Sequence, residues 1–169
     1  APALQERVLT FNGFSKTYAM TGWRLGYTVA PAEVIQAMSK LQSQSTSNPT
    51  SFVQHAALDA LAMDDMIIEE MREVFRQRRD LIVAGLNDID GVSCPTPRGA
   101  FYVFPDFSDH IGERFEDDLA LAKHLLDEAR VALVPGSAFG APGHMRLSYA
   151  TSDSLIEAGI SRLKSTLEG

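Results

Sequence analysis

Between residues 31 and 91 the apolar side chains of this 169-residue chain recur at helical spacing in three successive runs, and after Gly91 they gather into short strand-like runs instead. That change of period constrains the fold more than any single residue, because helices with one apolar face must then pack on short strands in an α/β arrangement. Pro31 opens the first run at a favoured first-turn position, with Val34, Ile35, Met38 and Leu41 on one face to be buried. The polar stretch 43–48 ends it. Pro49 opens the second run, which should bury Phe52, Val53, Ala56, Ala57 and Leu61. Asp64 and Asp65 introduce a longer third helix that closes at Gly91, with Ile67, Met71, Val74, Phe75, Ile82 and Leu86 on the apolar side. Its Glu69, Glu70, Arg72, Arg76, Arg78 and Arg79 read as a solvated face.

Ahead of these helices, residues 7–11 (RVLTF) and 23–30 (WRLGYTVA) read as two strands, so that FSKTYAMTG between them is a loop. Behind Gly91, short strands are expected at 92–94, 100–104, 131–134 and 145–150, with helices around 116–129 and from about residue 152. The organisation this implies is the remnant of a sheet over residues 1–62, followed over 63–169 by a long connecting helix and a compact α/β unit.

Composition narrows the function classes. A content of 45% hydrophobic and 22% charged residues is that of an ordinary globular protein, and the apolar runs are far shorter than a membrane span. A net charge of -7 argues against general affinity for nucleic acid, so any anion must be gripped locally. Cys94 is the only cysteine, which rules out an internal disulfide and thiol metal clusters and suits a reducing compartment. The first residues, APALQERVLTF, do not read as a signal peptide, and a cytoplasmic location is expected. His55, His110, His124 and His144 show no metal-ligand spacing.

The chemistry concentrates in the first loop. Lys16 and Arg24 stand among Ser15, Thr17, Thr21, Gly13 and Gly22, whose hydroxyls and accessible backbone N–H groups suit a phosphate. A nucleotide-binding P-loop requires glycine directly before the lysine, and Ser15 stands there instead. Lysine, unlike arginine, can lose its proton and attack a carbonyl to form a Schiff base, and a phosphate anchor beside such a lysine points to pyridoxal 5'-phosphate.

The run Gly13-Phe14-Ser15-Lys16, with Ala19-Met20, Gly22 and Arg24-Leu25-Gly26 after it, resembles the pyridoxal-phosphate attachment signature of class I and II aminotransferases of the aspartate aminotransferase fold. RGAFY at 98–102, PGSAFG at 135–140 and MRLSY at 145–149 follow in the order of that family's C-terminal part, so the resemblance covers essentially the whole chain. It implies the end of the large cofactor domain followed by the small domain. It also implies that Lys16 forms the Schiff base and shuttles a proton, that Arg24 and Ser15 hold the phosphate, and that Arg146 grips the substrate α-carboxylate. Phe101 resembles the family's aromatic residue near the substrate pocket, and a core phenylalanine explains it as well. The implied partners are an amino acid, a 2-oxo acid and a second copy of the chain, with residues 45–48 near the shared interface. Family members supply the aspartate that pairs with the cofactor ring upstream of the lysine, where this sequence has only Glu6. The chain alone is therefore expected to be a fragment without useful activity. A lyase of the same fold would share the same lysine and arginines; the alternative from another class is a non-catalytic sensing domain of a transcription regulator, to which the acidic balance lends no support.

Overall fold

The computed structural model describes residues 2–112 and 114–169. It divides into two compact units, 1–69 and 70–169.

In the first unit a short 3-10 helix, Pro2–Arg7, leads into strand β1 (Thr10–Gly13), which pairs antiparallel with β2 (Gly26–Val29). Thr10 lies opposite Val29 and Gly13 opposite Gly26. The ladder is shorter than the sequence suggests at both ends. Continuing the register would set Val8 against Pro31, which has no N–H to donate, so residues 7–9 have no ladder to join. At the other end, Thr21–Trp23 form a 3-10 turn and Arg24 takes a left-handed conformation (φ 53°), which excludes residues 23–25 from β2.

Helices α1 (Ala32–Ser45) and α2 (Ser51–Leu61) follow. Pro31 and Pro49 both stand outside the helices they precede, rather than in the first turn: Pro31 is the N-cap of α1 and its carbonyl accepts from Val34 and Ile35. In α2 the buried residues are Val53, Ala57 and Ala60, whereas Phe52 and Leu61, expected inside, are 67% and 57% exposed. Val34 and Ile35 of α1 are half-buried, and Met38 and Leu41 are exposed. Of the expected faces only Val53 and Ala57 are buried, with Ala60 in addition, and nothing within the described unit covers the rest.

The long helix α3 (Asp65–Asn87) runs across the division, and its second half, through Ile82, Val83 and Leu86, enters the core of the second unit. Its charged side is laced with ion pairs: Arg76 meets Glu73 at 2.6 Å and Asp80 at 3.1 Å, and the Glu73 carboxyl is held down to about 2, chiefly by its hydrogen bonds to Arg76. The core is completed by a three-stranded antiparallel sheet in the order β3 (Tyr102–Val103), β5 (Met145–Ser148), β4 (Val134–Pro135), together with helices α4 (Asp118–Asp127) and α5 (Asp153–Glu168). Asp117 caps α4 by accepting from the Ala120 N–H at 2.8 Å, and Ser152 caps α5. Phe107, Leu86, Leu121, Leu125, Met145 and Leu163 form its driest part. Gly85 lets α3 approach α5, because a Cβ there would collide with the Ile160 side chain.

Residues 92–94, expected as a strand, make only a single bridge between Ser93 and Asp106. The Asn87 side chain explains this. It accepts from the Cys94 N–H at 2.8 Å and donates to the Cys94 carbonyl at 2.9 Å, standing in for a neighbouring strand. Ala100 (φ 63°) and Arg130 (φ 56°) take left-handed conformations ahead of β3 and β4, which begin only at Tyr102 and Val134.

Two outcomes follow for the second unit. Leu121→Ala should cost about 2–5 kcal/mol in urea denaturation, and Leu119→Ala, on the same helix but 62% exposed, about 0.5 or less. Burial pushes the Cys94 thiol up to about 11. A thiol-selective reagent at pH 8 should therefore label Cys94 rapidly only after denaturation, and stability should fall with pH from about 9 to 11 as the unfolded chain ionises first.

Candidate active-site loop

The loop between β1 and β2 is fixed by two buried residues. Phe14 and Met20 are 3% and 8% exposed and pack with Ala57 and Ala60 of α2, with Tyr18, Leu25 and Ala56 around them. The rings of Tyr18 and Tyr27 lie 5.4 and 5.8 Å from that of Phe14. Small residues on α2 are what allow the approach, since a longer side chain at Ala57 or Ala60 would occupy the space of the Phe14 ring.

Backbone hydrogen bonds tighten the same segment. The Phe14 N–H donates to Leu25, Tyr18 to Phe14, Ala19 to Lys16 and Trp23 to Met20, all at 3.2–3.3 Å. Ala19 turns left-handed (φ 52°), and Gly26 passes so close to β1 that a Cβ would stand 3.0 Å from the Asn12 carbonyl. With Phe14 and Met20 turned inward and Tyr18 packed on Phe14, Ser15 is half-buried and Lys16 and Thr17 are exposed.

Arg24 occupies the far end of the loop, also exposed, and donates one N–H to the Thr21 carbonyl at 2.9 Å. Guanidinium has five donors, so this contact fixes its direction and leaves most of its donors for an anion. Arg24, Ala19, Gly22 and Trp23 line a cleft of about 640 Å³ whose other wall includes Gln42 of α1 and Thr46 just beyond its end. Neither Ser15 nor Lys16 is among its lining residues. A Cβ at Gly22 would meet nothing within 4 Å, which leaves its backbone accessible. Within the cleft a guanidinium with donors to spare, the hydroxyl-bearing Thr46 and Thr50 and an open glycine suit a phosphate such as that of pyridoxal phosphate, and Lys16 is exposed on the same loop outside the cleft lining.

Arg146 belongs to the second unit, on β5, where Met145 and Leu147 point into the core and Arg146 is half-buried on the other face. Its guanidinium carbon lies over the rings of Tyr102 and Phe139, 4.6 and 4.7 Å from their centroids. Among the described residues of that unit, no carboxylate is within ion-pair distance of it. Phe101 packs beside this strand, its ring 4.5 Å from that of Tyr102 and 6.4 Å from that of Phe75. The aromatic partners of Arg146 were not singled out from the sequence. The only signal was the presence of Tyr102 and Phe139 within the motifs RGAFY and PGSAFG.

The chain is 48% identical to an aspartate/prephenate aminotransferase of Cereibacter sphaeroides, over 99% of its own length and 44% of that protein's. It is 47% identical to an aspartate aminotransferase of Streptomyces avermitilis, over 98% of its own length and 42% of the relative's. The crystal structure of the aspartate aminotransferase of Rhizobium meliloti superposes with a TM-score of 0.95 at 44% identity, covering 99% of this chain and 44% of that one. The chain thus spans less than half the length of the relatives it matches. A family model for aminotransferase class I and II matches residues 2–163, and the chain belongs to that family.

Proposed function

We propose that this chain is the C-terminal portion of an aminotransferase that moves the amino group of aspartate to a 2-oxo acid with the help of pyridoxal phosphate. The observation that carries this reading is the loop 14–25, in which buried Phe14 and Met20 turn Lys16 outward and Arg24 is braced on the Thr21 carbonyl. The choice of aspartate draws on the names of the relatives at 47–48% identity. On this reading residues 1–62 end the large domain, and residues 63–169 supply the connecting helix and the small domain. The division of the chain into units at Glu69 supports it.

Pyridoxal phosphate, when bound, supplies an aldehyde that condenses with amines and a conjugated ring that draws electrons from the carbon bearing the amino group. Lys16 contributes the amine that holds the aldehyde. Once free of the aldehyde, its Nζ would be the base that takes a proton from the substrate Cα. Arg24, with the Ser15 hydroxyl, holds the phosphate through charge-assisted hydrogen bonds. Arg146 takes the substrate α-carboxylate, whose two oxygens match two parallel guanidinium N–H groups.

Because the chain spans less than half the length of its relatives, the activity is assigned to the complete polypeptide that contains it. The exposed apolar side chains of α1 and α2, among them Leu41, Phe52, Leu58 and Leu61, support a homo-oligomer in which such surface is covered. Among the described residues no helix is long and apolar enough to cross a membrane, and a cytoplasmic location is part of the proposal.

In the complete polypeptide, Lys16→Ala and Lys16→Arg should both abolish turnover of aspartate with a 2-oxo acid, since neither side chain offers a neutral amine. Arg24→Ala should weaken cofactor binding roughly 10- to 100-fold, the usual value of hydrogen bonds to a charged group. Full turnover by Lys16→Ala would overturn the assignment.

A further inference from the structure

We propose that Tyr102 and Phe139 are positioning residues that hold the Arg146 guanidinium ready for a carboxylate, and that Asp118 fixes the turn that carries Phe139. This rests on the reading of Arg146 as the carboxylate-binding residue.

Strand geometry delivers the two rings. Tyr102 on β3 lies opposite Ser148 on β5, and Arg146 is two residues from Ser148 on the same face, which makes Tyr102 and Arg146 diagonal neighbours. On the other side Val134 of β4 lies opposite Arg146. The chain then passes through the 3-10 turn Gly136–Phe139, which brings the Phe139 ring back to the arginine. That turn has no room for variation at its start, because a Cβ on Gly136 would collide with the Ala141 and His144 carbonyl oxygens.

Asp118 is the buried tie. It is 3% exposed, lies in the first turn of α4, and its Oδ2 accepts from the Ser137 N–H at 2.7 Å. Burying a carboxylate is costly unless it is well bonded, and the helix N-terminus offsets part of that cost. The hydrogen bond on which this buried carboxylate closes is to the turn that bears Phe139. Phe139 itself is 50% exposed, so core burial does not account for a large ring at this place. Its edge contact with Phe104 at 6.0 Å and its place under the guanidinium do.

Rings suit this task better than an acid would. A carboxylate partner would occupy the N–H groups that substrate must take, whereas an aromatic face attracts the guanidinium through its π electrons and leaves the in-plane donors unspent. Ordering the long side chain beforehand also spares the substrate that entropy cost.

The test uses the complete polypeptide loaded with pyridoxal phosphate, with succinate titrated calorimetrically as a carboxylate probe and kcat and KM measured separately. Phe139→Leu should weaken succinate binding by about 3- to 10-fold and raise KM for amino acid and 2-oxo acid alike, with kcat changing less than KM. Phe139→Tyr, which keeps the ring, should restore both. Asp118→Ala should reproduce the loss, and Asp118→Asn, which keeps an acceptor oxygen, should recover most of it. Arg146→Lys separates the two levels: if it binds succinate like the parent protein, the reading of Arg146 fails. If Arg146→Lys weakens binding and Phe139→Leu does not, the positioning proposal alone is overturned.

Discussion

The burial of Phe14 and Met20 against Ala57 and Ala60 is the contact on which the candidate site depends. Two apolar anchors, one on each side of Lys16, convert a stretch of small and hydroxylated residues into a loop with a defined inner and outer side. Without them, the 12 residues between β1 and β2 would have only a few long backbone hydrogen bonds to order them. The chemistry of the loop is thus an indirect product of packing: the lysine faces out because its neighbours have somewhere to go. Arg24 is oriented by a different device, a left-handed backbone and a bond to Thr21, so the two cations are set independently.

In the second unit the equivalent role falls to hydrogen bonds that substitute for missing strand pairs. Asn87 satisfies both backbone groups of Cys94, and Asp118 holds the Ser137 amide. Side chains that replace backbone partners allow strands of two to four residues to suffice, since the groups left over at their ends are not orphaned. The sheet can therefore be small while still presenting Arg146 at a fixed place on its central strand.

The sequence made the helices legible because a 3.6-residue period and end signals such as Asp64 and Ser152 are local properties. Strand limits were less legible because they depend on partners: β1 stops for want of an N–H at Pro31, and residues 92–94 pair with a side chain rather than a strand. Burial on α1 and α2 was overestimated for a related reason, since period tells which face is apolar and not what covers it, as Leu41 and Phe52 demonstrate at 74% and 67% exposed. At the candidate site, residue type and spacing pointed to Ser15, Lys16 and Arg24 as a phosphate-binding loop, whereas Arg146 was singled out only through the family resemblance. The surroundings of Arg146 were not readable, because Tyr102 and Phe139 reach it from a neighbouring strand and a turn that only the folded chain brings together.

The central claim is that Lys16 is the amine that bonds to the cofactor, and covalent trapping tests it most directly. The complete polypeptide would be incubated with pyridoxal phosphate, reduced with borohydride, digested, and the modified peptides mapped by mass spectrometry. The account predicts a stoichiometric label on Lys16. A label spread over exposed lysines such as Lys40 and Lys123, with Lys16 no more modified than they are, would contradict it.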